Sequence, residues 1–119
     1  MVTADWLEYC LAKPGAWRDE PWDGDVVAKV GPAARAKVFA FLGRAEAPVR
    51  IGLTCGDRER ADLWLERYPA AAARMPYWGQ HGWNTFLLDG SVPADELREL
   101  IDQSYALVVA KLPRSLRPS

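Results

Sequence analysis

His81 to Leu112 read HGWNTFLLDGSVPADELRELIDQSYALVVAKL, and the run holds a strand, a turn and a helix in direct succession. Trp83 to Leu88 are aromatic and apolar enough for a buried strand. Asp89-Gly90 follows as a turn signal. Pro93 then stands at a helix first turn with Asp95 and Glu96 beside it, where a fixed φ and nearby carboxylates both favour a helix start. Leu97, Leu100, Ile101, Ser104, Tyr105, Val108 and Leu112 make one continuous stripe, so the helix must lay that face on an apolar partner. The run contains no nucleophile–base pair and no ligand cluster. It speaks to architecture before chemistry.

Working back from it, Asp57 is placed to cap a helix whose face is Ala61, Trp64, Leu65 and Tyr68, with Pro69 just past its end. Residues 49–54 alternate, which predicts Val49, Ile51 and Leu53 facing in and Arg50, Gly52 and Thr54 facing out. Arg35 to Leu42 read as a strand with imperfect alternation, since Arg35 and Lys37 share parity with Phe39 and Phe41; the strand is expected to begin exposed and end buried. WRDEPWDGDVVAKV, residues 17–30, is a hairpin around Asp23-Gly24. Thr3 is a candidate cap for a first helix with the stripe Trp6, Leu7, Cys10 and Leu11, stopped by Pro14-Gly15. The Ala run at 70–73 before Met75-Pro76 is either a short helical turn or a connector. The predicted order is α-β-β-β-β-α-β-α. This is an α+β domain of two layers, an antiparallel sheet with helices on one face.

Composition fits that reading. At 119 residues the chain has room for one domain over residues 1–112 and a short basic tail, 113–119; such a domain buries about 65% of its extended-chain surface. No apolar run approaches the ~20 residues of a membrane helix, and the acidic start MVTADWLEY does not read as a signal peptide. Two cysteines, Cys10 and Cys55, make a disulfide framework unexpected and point to a reduced cytoplasmic chain with no membrane partner.

Net charge is −1, unevenly spread. Residues 1–28 carry six acids against Lys13 and Arg18, and residues 89–102 carry five against Arg98. Residues 29–50 carry Lys29, Arg35, Lys37, Arg44 and Arg50 against Glu46 alone. A polyanion binder usually shows a basic excess over its whole domain; here the excess is local.

Candidate chemistry is thin. A Cys55–His81 dyad is the one nucleophilic pairing on offer, with no third residue to orient it. Cys10, Cys55 and His81 lack any recognised metal-ligand spacing. Asp19/Glu20 and Asp23/Asp25 flank a hairpin turn, and Asp95, Glu96 and Glu99 sit where carboxylates offset a helix dipole, so both sets read as solvated structural acids. Gly79-Gln80-His81-Gly82 lacks the lysine and preceding strand of a phosphate loop. Of six tryptophans, Trp6 and Trp64 fit helix stripes. Trp17, Trp22, Trp78 and Trp83 fall at strand ends or loops, where aromatics beside Arg35 or Arg50 can stack on bases or simply complete a core. Tyr105 is expected to tie down a buried polar point, and the tail after Lys111 reads as a fraying end.

Several short pieces recur in a known order: Glu20-Pro21-Trp22-Asp23-Gly24, Val27 to Val30, Lys37-Val38-Phe39-Ala40, Leu53-Thr54-Cys55, Gly82-Trp83-Asn84-Thr85, Leu88-Asp89-Gly90 and Ser104-Tyr105. From about Glu20 to Leu112 the chain resembles the MmcQ/YjbR family of small bacterial proteins. The resemblance implies a two-layer fold similar to frataxin-like and type III secretion chaperone-like domains, and it brings the customary label of DNA-binding protein without a defined reaction. Members commonly carry Lys where this chain has Thr54 and Gln80, so two positive charges that could meet phosphate are missing; Lys37 is retained.

The expectation is a non-enzymatic protein without cofactor or metal. Its first candidate role is DNA binding through the basic hairpin, with Lys29, Arg35, Lys37 and Arg50 on phosphates. The alternative is a protein- or small-ligand-binding module that uses the Trp-rich surface of Tyr77, Trp78 and Trp83. A third reading, a frataxin-like metal binder, needs acids gathered on one exposed ridge.

Overall fold

The computed structural model describes residues 4–44 and 48–118; Thr3, the candidate first cap, lies outside them. The order is α1 (Ala4–Leu11), β1 (Ala16–Trp22), β2 (Asp25–Val30), β3 (Lys37–Gly43), β4 (Arg50–Thr54), α2 (Arg58–Arg67), β5 (Ala72–Arg74), a 3-10 turn (Gly79–His81), β6 (Trp83–Leu87) and α3 (Ala94–Val109). The six strands form one antiparallel sheet in the order β1-β2-β3-β4-β6-β5. The Ala run is therefore neither a helical turn nor a connector. It contributes an edge strand, because Ala72, Ala73 and Arg74 pair with Phe86, Thr85 and Asn84.

All three helices cover one face. Trp6, Leu7 and Cys10 of α1, Ala61 of α2, and Leu97, Leu100, Ile101 and Val108 of α3 meet Ala28, Val30, Ile51, Leu53 and Phe86 in a single core. Full burial of an aliphatic side chain such as Ile101 or Leu100 contributes about 1.5–3 kcal/mol. Asp57 caps α2 as its position predicts, its carboxylate accepting from the Arg60 amide at 2.8 Å.

Two differences from expectation concern which way strands face. Val49 is 67% exposed, because β4 begins only at Arg50 and the residue before it is not held in the alternation. Gly52 and Thr54 are buried, so the outward face of β4 is covered too. The irregular alternation of residues 35–42 also has a cause. Ala28 pairs with Ala40 but Lys29 with Val38, and Val26 pairs with Gly43 but Val27 with Phe41. Phe39 and Leu42 are thus extra residues in two bulges, which lets Phe39, Ala40 and Leu42 all join the core while Phe41 turns to the opposite face.

Between β3 and β4 the one register pair is Phe41 with Gly52. Continuing that register would set Phe39 against Thr54. Instead the Ser104 hydroxyl of α3 enters the gap, donating to the Phe39 carbonyl at 2.7 Å and accepting from the Thr54 amide at 3.1 Å. A helix side chain completes a sheet rung, and the two strands part at that end. Beside it, the Tyr105 ring meets Phe39 edge-on at 5.2 Å and its hydroxyl donates to the Pro14 carbonyl. That carbonyl belongs to an exposed residue, so Tyr105 ties α3 to the α1–β1 connection rather than satisfying a buried group.

The described part of the tail, residues 113–118, folds back on the end of α3. Residues Arg114–Leu116 make a 3-10 turn, and Arg117 donates from Nε to the Leu112 carbonyl and from Nη2 to the Ala110 carbonyl, each at 2.9 Å. Among the described residues no helix is long and apolar enough to cross a membrane.

Candidate functional site, an aromatic groove with three lysines

The face of the sheet away from the helices is covered only in part. Residues 75–82 run back over it after β5, held by Met75 N–H to the Trp83 carbonyl (3.1 Å) and by Cys55 N–H to the Gly82 carbonyl (2.8 Å). Two glycines make this path possible. A Cβ on Gly52 would stand 2.9 Å from Met75 Sδ, and one on Gly82 would stand 2.2 Å from the Gly56 carbonyl oxygen, at a φ of +87°. Met75 thus lies on the bare backbone of β4, and the chain delivers Trp78 onto the sheet. There Phe41, Trp78 and Trp83 form a triangle of rings with centroids 5.4–6.4 Å apart, in the tilted and edge-on geometries aromatic pairs favour.

A second clamp fixes this segment from α2. Arg58 donates to the Gly79 carbonyl at 2.6 Å, to Asn84 Oδ1 at 2.7 Å, and pairs with Asp62 at 2.8 Å. Asn84 is fully buried and donates to the Ala61 carbonyl at 2.8 Å. Sequence reasoning passed over both residues. Asn84 was visible only as part of the Gly82-Trp83-Asn84-Thr85 piece, and nothing local to Arg58 marks it.

The triangle is one wall of a groove of about 390 Å³ at the end of the sheet where β3 and β4 part. Val38, Phe41 and Thr54 form its floor, and Pro21 and Trp22 from the end of β1 complete the apolar side. Lys29, Lys37 and, from beyond α3, Lys111 supply its charge. Trp22 is 58% exposed and Trp78 45%, whereas Trp83 is buried, so two indoles offer open surface and Trp83 backs Trp78. Such a volume lies within the 300–1,000 Å³ of small-molecule sites.

The structure therefore divides the sequence-derived candidates and joins parts of both sets. Lys29 and Lys37 share the groove with Trp78 and Trp83. Arg35 stands outside it, exposed in the turn before β3. Arg50 is exposed at the other end of β4, where it lines a separate hollow of about 290 Å³ with Arg44 and Thr85. Tyr77 is 94% exposed at a φ of +65° and borders a different hollow with Arg74 and Gln80. Sequence reasoning missed Trp22, Phe41, Thr54 and Lys111 as groove residues, since only the folded topology brings the four segments together.

Charge within the groove is graded. Lys29 is paired with Asp19 at 2.7 Å and lies over the Trp17 ring; its ammonium holds the Asp19 carboxyl below the usual range. Lys37 and Lys111 are exposed. Elsewhere, burial pushes the thiols of Cys10 and Cys55 up to about 12, so both are neutral at physiological pH and poor nucleophiles. The Cys55 sulfur meets the Asn84 amide at 3.9 Å, and the exposed His81 ring meets Gln80 at 3.3 Å. Cys55 and His81 thus have separate partners, in keeping with a small buried Cys and a loop His.

The profile of the YjbR family matches residues 11–107. The chain belongs to the YjbR family. It is similar to the uncharacterized protein YjbR of Escherichia coli K12, with 30% identity over 121 residues, covering 98% of this chain and 95% of that one. Among solved structures it resembles Deinococcus radiodurans protein DR2400, which carries the DUF419 domain, at a TM-score of 0.86 and 30% identity over 98% of this chain and 86% of that one. A Pseudomonas syringae protein superposes at a TM-score of 0.71 with 21% identity, over 91% and 99% of the two chains; that likeness supports the fold alone. The matched family span takes in most of the groove, with Val108 and Lys111 just past its end.

Proposed function

We propose that this YjbR-family chain is a non-enzymatic binding protein that works through the aromatic groove and takes a small ligand there. The observation that carries this reading is the convergence of Trp22, Trp78, Trp83 and Phe41 with three lysines in one cleft of ligand size. The neutral thiols of Cys10 and Cys55 and the solvent-facing His81 support a binding role over catalysis. Ligand-observed saturation-transfer NMR with a fragment library tests it. Fragments are expected to bind the native chain and to lose most of that signal in Trp78→Ala. Binding unchanged by that substitution, or no fragment bound at all, overturns it.

The second reading is nucleic acid, favoured by exposed indoles set beside lysines, a combination that suits single strands. It is narrower than a basic hairpin laid on duplex DNA, because Arg35 and Arg50 stand apart from Lys29 and Lys37. Fluorescence anisotropy with duplex and single-stranded DNA at two salt concentrations separates these. Single-strand binding that weakens with salt and with Lys37→Ala supports the second reading, and its absence at low salt removes it.

A further inference from the structure

We infer that the ligand of the groove is a planar aromatic anion, its ring laid on the open indoles and its acid group held between Lys37 and Lys111. This rests on the groove being the binding site and adds the chemical class of its occupant.

Three observations set that class. The first is charge. The groove's lining includes three lysines and no carboxylate, although the chain as a whole carries a net charge of −1. Of the acids nearest in sequence, two are already engaged, while Asp23 and Asp25 are exposed at the β1–β2 turn and stand outside the groove's lining. Asp19 is bound to Lys29, and Glu20 accepts the Gly24 amide at 3.1 Å and pairs with Arg18. Among the described residues, Lys37 and Lys111 take part in no ion pair, so their charge is available to a ligand. A cationic ligand would meet two unpaired ammonium groups, a repulsion that solvent and salt screen but do not reverse.

The second concerns the end of α3. The last carbonyls of a helix form a negative pole that would repel an anion placed beside Val108 and Lys111. Arg117 returns from the tail to bond the Ala110 and Leu112 carbonyls. Of these two only Ala110 stands at the helix end, as its C-cap, so the guanidinium offsets part of the negative pole beside Lys111.

The third is shape. Trp22 and Trp78 keep about half their surface open, and Trp83 and Phe41 pack against Trp78 from behind. Flat apolar faces backed by packed rings favour a flat partner, and stacking rewards a ring over an aliphatic chain of equal size. A cleft of about 390 Å³ admits one or two fused rings with an acid substituent.

A matched set of probes tests the class: naphthoate, its neutral isostere naphthamide, and acetate, each titrated by two-dimensional NMR into the full chain and into a Lys37→Gln/Lys111→Gln variant. Both lysines are exposed, so the variant should fold, which its thermal melt checks. Naphthoate is expected to bind about tenfold more tightly than naphthamide, and acetate not measurably. In the double variant the naphthoate advantage should shrink to about twofold or less, with naphthamide unchanged, and added salt should narrow it in the native chain. Naphthamide equal to naphthoate would overturn the anionic half while leaving the groove as a binding site. Acetate equal to naphthoate would overturn the aromatic half. If none of the three binds while neutral fragments occupy the groove, the inference alone fails. If no fragment of any kind binds there, the reading beneath it fails as well.

Discussion

Ser104 shows how much one hydroxyl can carry. It lies fully buried between the Phe39 carbonyl and the Thr54 amide, so Ser104→Ala leaves two buried backbone groups without partners. At about 1–3 kcal/mol for each such group, the substitution should cost about 2–6 kcal/mol in urea unfolding; a loss below about 1 kcal/mol would mean the strands close directly. Gly82 carries a different constraint, since any side chain there strikes the Gly56 carbonyl at a φ suited to glycine. Gly82→Ala should cost at least ~2 kcal/mol and displace Trp78. The two thiols make a pH prediction. Their folded pKa of about 12 stands above the ordinary 9.0, so the folded state keeps protons that the unfolded chain releases. Their contribution is complete below pH 9 and is lost as pH climbs from 9 toward 12. Stability of the native chain should therefore fall over that range more steeply than that of Cys10→Ala/Cys55→Ala, measured by urea midpoint against pH. Parallel slopes would contradict the burial argument.

At the level of elements, legibility followed the length of the pattern. The stripe of α3 and the Asp57 cap of α2 were readable, because each depends on residues within a few turns of one another. The hairpin at Asp23-Gly24 and the strand at Trp83 were readable for the same reason. β5 was not, since three residues of Ala72–Arg74 carry no periodicity, and its conformation is imposed by pairing with β6. β3 was half legible. Its broken alternation is the trace of two bulges, which cannot be located without knowing what β2 sets opposite. Candidate site residues divide on the same principle. Lys29, Lys37, Trp78 and Trp83 were found by type, whereas their meeting with Trp22 and Lys111 follows from sheet order. Arg58 makes the prediction at this scale. Its guanidinium joins α2 to the Gly79 carbonyl and to buried Asn84, so Arg58→Ala should cost about 2–3 kcal/mol. It should also speed amide exchange across residues 75–82 while sparing α3 and β2. Uniform acceleration over the whole chain would show global loss without a local clamp.

Over the whole molecule, one face of the sheet carries the helices and the core, and the other is covered only in part. Helices, Ser104 and the core occupy the first. The second carries a strap of residues 75–82, an aromatic triangle and the lysine-bearing groove. Its local excess of positive charge explains why the basic balance of residues 29–50 was visible in a chain of net charge −1: part of that excess, Lys29 and Lys37, faces the groove, and Arg35 and Arg50 do not. The six tryptophans provide built-in reporters of which face binds. Nitrogen-15 correlation spectra of their indole N–H groups, recorded as naphthoate is added, place the ligand directly. The groove account predicts saturable shifts at Trp22, Trp78 and Trp83, with Trp6 and Trp64 on the helix side unmoved. Shifts confined to Trp6 and Trp64, or spread equally over all six, would contradict it.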